Sequence, residues 1–223
     1  MRERPSKPAP YTVDAVLVTA MGSELAILLA RSSSDRERWS LPWRIPQSGE
    51  TLDTAATTTI KDALGDLPAW VEQIGAFGDG KRHPGETELS VAYLGLTPHE
   101  TASPGPGHTW FPVANPPPLA PRQRAMVDGA TKALQSSLDQ APIAFRLLPA
   151  TFTLSELQQM YELLMGKRLH KASFRRALQA AWLVEPMDEW RSEGRGRPAQ
   201  LFRYLPKKKR RPHRGVRFDF LYP

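Results

Sequence analysis

The stretch that decides the reading is Phe152–Trp182, FTLSELQQMYELLMGKRLHKASFRRALQAAW. Thr153 followed by Glu156 three places on has the spacing of a capping box, in which each side chain satisfies a backbone N–H of the other residue. Phe152 and Leu157 flank that cap at hydrophobic-staple spacing. A helix therefore starts near Leu154, with an apolar stripe of Leu154, Leu157, Met160, Tyr161 and Leu164. Gly166 stops it, and Lys167–Leu169 make a short turn. A second helix follows from about Lys171. Phe174, Ala177, Leu178, Ala181 and Trp182 form its expected buried stripe. Lys171, Arg175 and Gln179 form the opposite row at i, i+4 spacing, with Ala172, Ser173 and Arg176 beside it. Helix, Gly-containing turn and a second helix with a basic, amide-bearing face describe a helix-turn-helix. The second helix of that motif enters the major groove of DNA, where Arg pairs with guanine and Gln with adenine.

Downstream, Leu183–Trp190 and Leu201–Leu205 read as two strands around Ser192-Glu193-Gly194-Arg195-Gly196-Arg197-Pro198. Arg195 and Arg197, set between glycines, suit a wing lying on a phosphate backbone. The run Lys207–Arg211 then opens a basic tail, 207–223, which adds sequence-independent affinity by counterion release or stays a solvated end. Charge divides accordingly. Residues 1–140 hold 13 Lys and Arg against 16 Asp and Glu, residues 141–223 hold 17 against 7, and the whole chain is +7. Only the rear half has an electrostatic reason to bind a polyanion.

Upstream, strands and helices alternate. Thr12–Thr19 and Leu25–Ala30 read as a hairpin around Met21-Gly22-Ser23. Leu52, Ala55, Ala56, Ile60, Ala63 and Leu64 recur near helical spacing, and Gly65 stops that helix. Thr57, Thr58 and Thr59 weaken it, because β-branched residues lose rotamer freedom in a helix. Trp70–Phe77 and Leu89–Leu96 read as strands, and Gln123–Leu138 as a helix. Two Pro-rich stretches, to about Pro10 and from Ser103 to Pro121, are expected to form no regular interior element. With no Cys, disulfides, thiolate zinc sites and Cys nucleophiles are excluded. No apolar run approaches the roughly 20 residues that span a bilayer. The start, MRERPSKPAP, lacks the apolar stretch of a secretory signal, so a cytoplasmic location without a membrane partner is expected. The five His show no ligand spacing, and surface roles are expected for His83 and His170.

Trp39-Ser40-Leu41-Pro42, then Ser48-Gly49-Glu50, then a helix closing at Gly65, resembles the core of a Nudix domain across about residues 10–138. The Nudix signature falls with its first Gly at Arg44, the following Glu at Glu50, the Arg-Glu pair at Thr58 and Thr59, the Glu-Glu pair at Asp62 and Ala63, and the closing Gly at Gly65. The resemblance implies diphosphate hydrolysis by a divalent metal held on helix carboxylates, and this chain departs from it there. Positions 59, 62 and 63 share one helix face, yet they are Thr, Asp and Ala. One carboxylate of three remains, so a binding site without hydrolysis and without a metal is expected. Gly75–Gly78, Lys81-Arg82-His83-Pro84 and Leu89–Leu94 resemble the matching stretch of ADP-ribose-responsive regulators. Leu148-Pro149, Phe152–Leu157, Ser173–Arg176 and Gly196–Tyr204 resemble the winged helix of Nudix-related transcriptional regulators.

The expectation is an α+β chain: a Nudix-like α/β/α domain over 1–140, then a winged helix-turn-helix domain over 141–206, then the tail. The whole resembles the Nudix-related regulators of NAD metabolism of the NrtR type. That resemblance implies a homodimer on a palindromic double-stranded DNA operator, released by ADP-ribose or a related nucleotide, with no cofactor. Candidate ligand residues are Trp39 and Trp43 for stacking, Arg31, Arg44 and Arg82 for phosphate, and Glu50. Candidate DNA contacts are Lys171, Ser173, Arg175, Arg176, Gln179, Arg195 and Arg197. Three other readings stay open: a divergent Nudix hydrolase of nucleoside diphosphate derivatives, a DNA-binding protein whose cleft Arg44 plugs, and a regulator with another effector.

Overall fold

The computed structural model describes residues 11–32, 38–68, 70–138, 142–192 and 198–205. The N-terminal arm, the wing residues Arg195 and Arg197 and the tail 207–223 lie outside the described residues, as does the expected domain boundary after residue 140. The chain divides into two compact units. The front one comprises Glu24–Thr97, Ala102–Lys132 and the chain before Ala20. The rear one comprises Ala20–Ser23, Pro98–Thr101 and the chain from Ala133 onward.

The front unit is a mixed sheet of seven strands. β1 (Tyr11–Met21) and β2 (Glu24–Arg31) are the expected hairpin strands, followed by the short β3 (Trp39–Ser40) and β4 (Trp43–Arg44). α1 (Leu52–Leu64), β5 (Trp70–Phe77), β6 (Leu89–Leu96), β7 (His108–Pro112) and α2 (Pro121–Ser137) complete it. The main path runs β3-β2-β1-β6-β5, with β4 on β1 and β7 on β2. β1 is buried on both faces from Thr12 to Thr19 and pairs in parallel with β6, as a near-continuous apolar run should. Against it α1 packs Ile60, Ala63 and Leu64 onto Ala15, Leu17 and Leu28. A second cluster joins Ala55 and Ala56 to Val13, Val91 and Tyr93.

α1 forms despite its three threonines. Thr58 and Thr59 turn their hydroxyls onto the carbonyls of Thr54 and Ala55, at 3.0 and 2.8 Å, while Thr51 caps the first turn. The Pro-rich stretch corrects an expectation. Five of its residues form β7, which pairs antiparallel with Ala26–Ala30 of β2. The prolines only bracket the strand: Pro106 precedes it and Pro112 occupies its last position, where a missing N–H costs little.

The rear unit contains β8 (Thr151–Thr153), α3 (Leu154–Met165), α4 (Lys171–Ala181), β9 (Val184–Arg191) and β10 (Ala199–Tyr204). The three strands make one antiparallel sheet in the order β8-β10-β9. Both arms of the capping box are present: Glu156 N–H donates to Thr153 Oγ1 at 3.1 Å, and Thr153 N–H donates to Glu156 Oε2 at 2.6 Å. Gly166 closes α3 at φ 66°, a left-handed conformation open to glycine without a Cβ clash. The core is aromatic. Tyr161 meets Phe174 edge-on at 5.5 Å, and Phe145 contacts both Phe152 and Tyr204. Such pairs contribute about 0.5–1.5 kcal/mol each beyond their buried area. Phe145 comes from a short 3-10 turn, Ile143–Arg146, that shows no period in the sequence.

Trp182 corrects a second expectation. It caps α4 in the left-handed region at φ 51° and is 73% exposed, so the buried stripe of α4 ends at Leu178, with Ala177 and Ala181 half-buried. The last helical turn is already unwinding toward β9, which swings the side chain away from the core. Thr153→Ala, which removes the capping box, should destabilise the protein by about 1 kcal/mol in urea unfolding while leaving its circular dichroism unchanged.

Candidate functional site

Two sites emerge, one in each unit. In the rear unit, α4 presents Lys171, Arg175, Arg176 and Gln179 to solvent, with Ser173 half-buried at the helix start. Lys171 to Gln179 spans about 12 Å of helix at 1.5 Å per residue, close to the width of the DNA major groove. The other arginines of this unit are mostly paired internally. Arg191 donates to Glu156 at 2.6 Å, Arg203 to Glu185 at 2.7 Å and Arg168 to Glu162 at 3.2 Å. Lys171, Arg175 and Arg176 have no acidic or hydrogen-bonding partner for their side chains among the described residues. Among the described residues of this unit, the unpaired cations thus lie on the outer face of one helix.

Glu162 fixes how that helix is presented. It accepts from Gln158, from the Leu169 backbone N–H at 2.9 Å and from Arg168, so it ties α3 to the turn that leads into α4. Burial alone would push its carboxyl up, but these donors outweigh it and hold the group below its ordinary value. His170 is exposed at the start of α4, with Nδ1 3.2 Å from Ser173 Oγ.

In the front unit a cavity of about 490 Å³ is lined by Arg31, Trp43, Asp62, Glu86 and His108, among others. Pairing of β7 with β2 sets His108 opposite Ala30, next to Arg31. His108 Nδ1 donates to Pro106 O at 3.1 Å, which leaves Nε2 without a partner among the described residues. The side chains of Arg31, Asp62 and Glu86 likewise have none. One guanidinium, one imidazole and two carboxylates therefore line one cavity without a protein partner among the described residues, and Arg31, Asp62 and Glu86 are exposed to solvent.

The other expected ligand residues lie elsewhere. Trp39 packs edge-on against Phe111 with ring centres 4.8 Å apart. Arg44 pairs with Glu50 at 3.5 Å, and Glu50 also accepts from Gln47 N–H at 2.7 Å. Arg82 is exposed, and its carbonyl accepts from Arg122 N–H. None of these four lines the cavity. Sequence reasoning missed Glu86 and His108, because His108 arrives by pairing with β2, distant in the chain, and Glu86 by a local turn that no sequence period marks.

Behind the cavity wall lies a buried polar network that also went unread, and it overturns the surface role expected for His83. His83 is 1% exposed, with Nε2 2.8 Å from Asp14 Oδ1. Gly85 N–H donates to His83 Nδ1 at 2.9 Å, so the ring proton sits on Nε2 and points at Asp14. Gln123 from α2 donates to the same Asp14 oxygen at 3.0 Å and accepts from Leu41 N–H at 3.0 Å. Thr12 donates to Asp14 Oδ2 at 2.8 Å.

The helix positions where a Nudix enzyme holds its divalent metal do not fit that ion. Thr59 is buried with its hydroxyl on Ala55 O, and Ala63 belongs to the core under α1. Thr59 and Asp62 line the cavity, and Asp62 is the one carboxylate of the three positions. Among the described residues no group of three His, Asp or Glu side chains is placed to hold a metal, and no helix is long and apolar enough to cross a membrane.

Comparison with known proteins matches these features. Residues 144–204 match the model of the NrtR DNA-binding winged helix domain. A curated relative from Acinetobacter baylyi, the ADPR responsive transcriptional repressor NtrR, is 28% identical over 208 residues, covering 88% of this chain and 83% of its own. Shewanella oneidensis NrtR in complex with a 27mer DNA superposes with a TM-score of 0.78 at 27% identity, covering 88% of this chain and 94% of that one. A MutT/nudix family protein from Enterococcus faecalis shares the fold at a TM-score of 0.70, with 18% identity over 92% of this chain and 90% of its own. The chain is therefore an α+β protein with a Nudix-like domain followed by a winged helix domain. It shares this organisation with Shewanella oneidensis NrtR, and its winged helix with the NrtR DNA-binding domain.

The depressed Glu162 carboxyl carries a pH signature. A group held below its unfolded value near 4.5 stabilises the fold above that pH, and this stability is lost as pH falls through the folded value. Urea unfolding between pH 6 and 3 should show Glu162→Gln losing less stability with acid than the wild type does. In the front unit, Asp14→Ala strands the buried donors of His83 and Gln123, and should destabilise by about 2–4 kcal/mol in the same assay.

Proposed function

We propose that this chain is a transcriptional repressor that binds double-stranded DNA through its winged helix and is released by ADP-ribose or a related nucleotide bound in its front domain. The observation that carries the reading is the outer face of α4, where Lys171, Arg175 and Arg176 stand unpaired. Lys171, Ser173, Arg175 and Gln179 reach base edges, and Arg176 takes a phosphate. Arg195 and Arg197 of the wing hold the backbone. One winged helix makes few base contacts, so two copies related by a two-fold axis read a palindromic operator. The genes expected under this control belong to NAD metabolism, as the likeness to the NrtR-type regulators implies.

In the cavity, Arg31 and His108 pair with the diphosphate and Trp43 offers a stacking face. The Arg fork matches phosphate oxygens in geometry. Arg44, Glu50 and Arg82 lie outside the cavity lining and take no part in this reading. With Thr59 and Ala63 in place of carboxylates, the front domain binds its nucleotide without hydrolysing it. Binding favours a conformation whose recognition helices are wrongly spaced for the operator. Coupling of this kind is typically about 1–3 kcal/mol, and by linkage DNA weakens the nucleotide by the same factor.

A gel shift on DNA upstream of the chain's own gene tests the proposal. A specific shift relieved by ADP-ribose is expected, and a specific shift indifferent to it would remove ADP-ribose as effector. Arg175→Ala and Arg176→Ala should each weaken operator binding by about 1–3 kcal/mol without changing the melting temperature. Unaltered affinity in both would displace α4 as the reading helix. Incubation with ADP-ribose and Mg²⁺ or Mn²⁺ should release no AMP. Multiple turnovers that vanish in Glu50→Gln would make the protein a hydrolase.

A further inference from the structure

One turn of the cavity wall is held in a conformation its sequence does not favour. Glu86 lies in the left-handed region at φ 52°, one of two non-glycine residues there among the described residues. A long side chain in that region is strained, and strain persists only where the surroundings over-determine it. Here they do. Glu86 N–H donates to His83 O at 3.0 Å, closing the turn. His83 is held by Asp14 on one ring nitrogen and by Gly85 N–H on the other. Gly85 has no room to shift, since a Cβ there would stand 2.8 Å from the Trp43 ring and 3.0 Å from Thr12 Cγ2. Past the turn, Arg122 Nη1 donates to Thr87 O at 2.6 Å.

All this fixes the backbone that carries Glu86, whose exposed carboxylate serves no internal purpose. The Glu86 side chain has no hydrogen bond or ion pair among the described residues, and it lines the cavity. An ionised carboxylate only accepts hydrogen bonds, and its two oxygens match two neighbouring hydroxyls. The Arg31 guanidinium and the His108 ring, in the same cavity, suit a phosphate instead.

We infer that Glu86 is the specificity-determining residue of the cavity, reading a vicinal diol of a ribose in the bound nucleotide. Asp14, His83 and Gln123 are its positioning residues. The inference rests on the nucleotide-binding role proposed above and names the part of the nucleotide that the protein recognises.

Titration calorimetry of the full-length wild type, Glu86→Ala and Glu86→Gly with ADP-ribose, ADP and 2′-deoxy-ADP tests it. The wild type should prefer ADP-ribose over ADP, or ADP over 2′-deoxy-ADP, according to which ribose is read. Both variants should lose that preference, with about a tenfold weaker grip on the preferred ligand, as expected for a charge-assisted pair. Glu86→Gly should also melt at or above the wild-type temperature, because glycine relieves the strain. A purely structural Glu86 would lower the melting temperature and leave the preference intact, which overturns the inference. Equal weakening of all three ligands, or none, overturns it as well. If the wild type binds no nucleotide, the nucleotide-sensing role itself fails, a result distinct from wild-type binding that the variants share.

Discussion

A carboxylate sits in the middle of a seven-stranded sheet, and the front unit is arranged around satisfying it. Asp14 is fully buried on the central strand. A buried ion without partners is costly enough that proteins do not leave one uncompensated. Here the partners come from four parts of the chain: Thr12 beside it, His83 before β6, Gln123 on α2 and, through Gln123, the Leu41 backbone between β3 and β4. The network therefore does what disulfides do in small secreted domains. It locks segments far apart in sequence to one point, in a chain that has no cysteine. Because those segments carry Trp43 and the 83–87 turn, the same network sets the shape of the cavity.

The first helix shows how a fold's packing and a metal site can be separated. α1 keeps the cap at Thr51, the apolar face and the closing Gly65 that the Nudix frame needs for packing. Those features serve burial and remain. The positions that would hold a metal have been given over to the helix itself: Thr59 bonds its own backbone, and Ala63 adds core contact. Each position turns its side chain to the helix backbone or the core instead of to a ligand. Fold and reaction separate at this level, side chain by side chain.

How far the sequence was legible follows from the range of the interactions. α3 was readable in full, because a capping box, a staple and a glycine stop all act within a dozen residues. The strands Trp70–Phe77 and Leu89–Leu96 were readable from their apolar runs alone. Trp182 was misread because helical spacing carries one residue past the point where the backbone turns left-handed, and periodicity does not sense that change. His83 was misread for a different reason: its partner is 69 residues away, and nothing local marks a histidine as buried. The cavity combines both difficulties. Arg31 and Trp43 were nameable from their neighbourhood, whereas His108 and Glu86 reach the cavity only through the β2–β7 pairing and a strained turn.

The two sites share a physical logic. A folded chain pairs its charges where it can, as Arg191 with Glu156 and Arg203 with Glu185 show. Charges left unpaired beside such pairs are not accidents of a solvated surface when they converge on one helix face or one cavity. The α4 cations converge on a convex face of groove width, which suits a polyanion. The cavity groups converge on a concave space with a guanidinium, an imidazole and carboxylates together, which suits a ligand carrying phosphate and hydroxyls at once. A hydrolase would have needed several carboxylates facing one metal, whereas a sensor needs only groups that tell its ligand from similar ones. Unpaired mixed charge lining one cavity, with one carboxylate on a strained turn, gives a ligand the chance to supply partners the fold withholds.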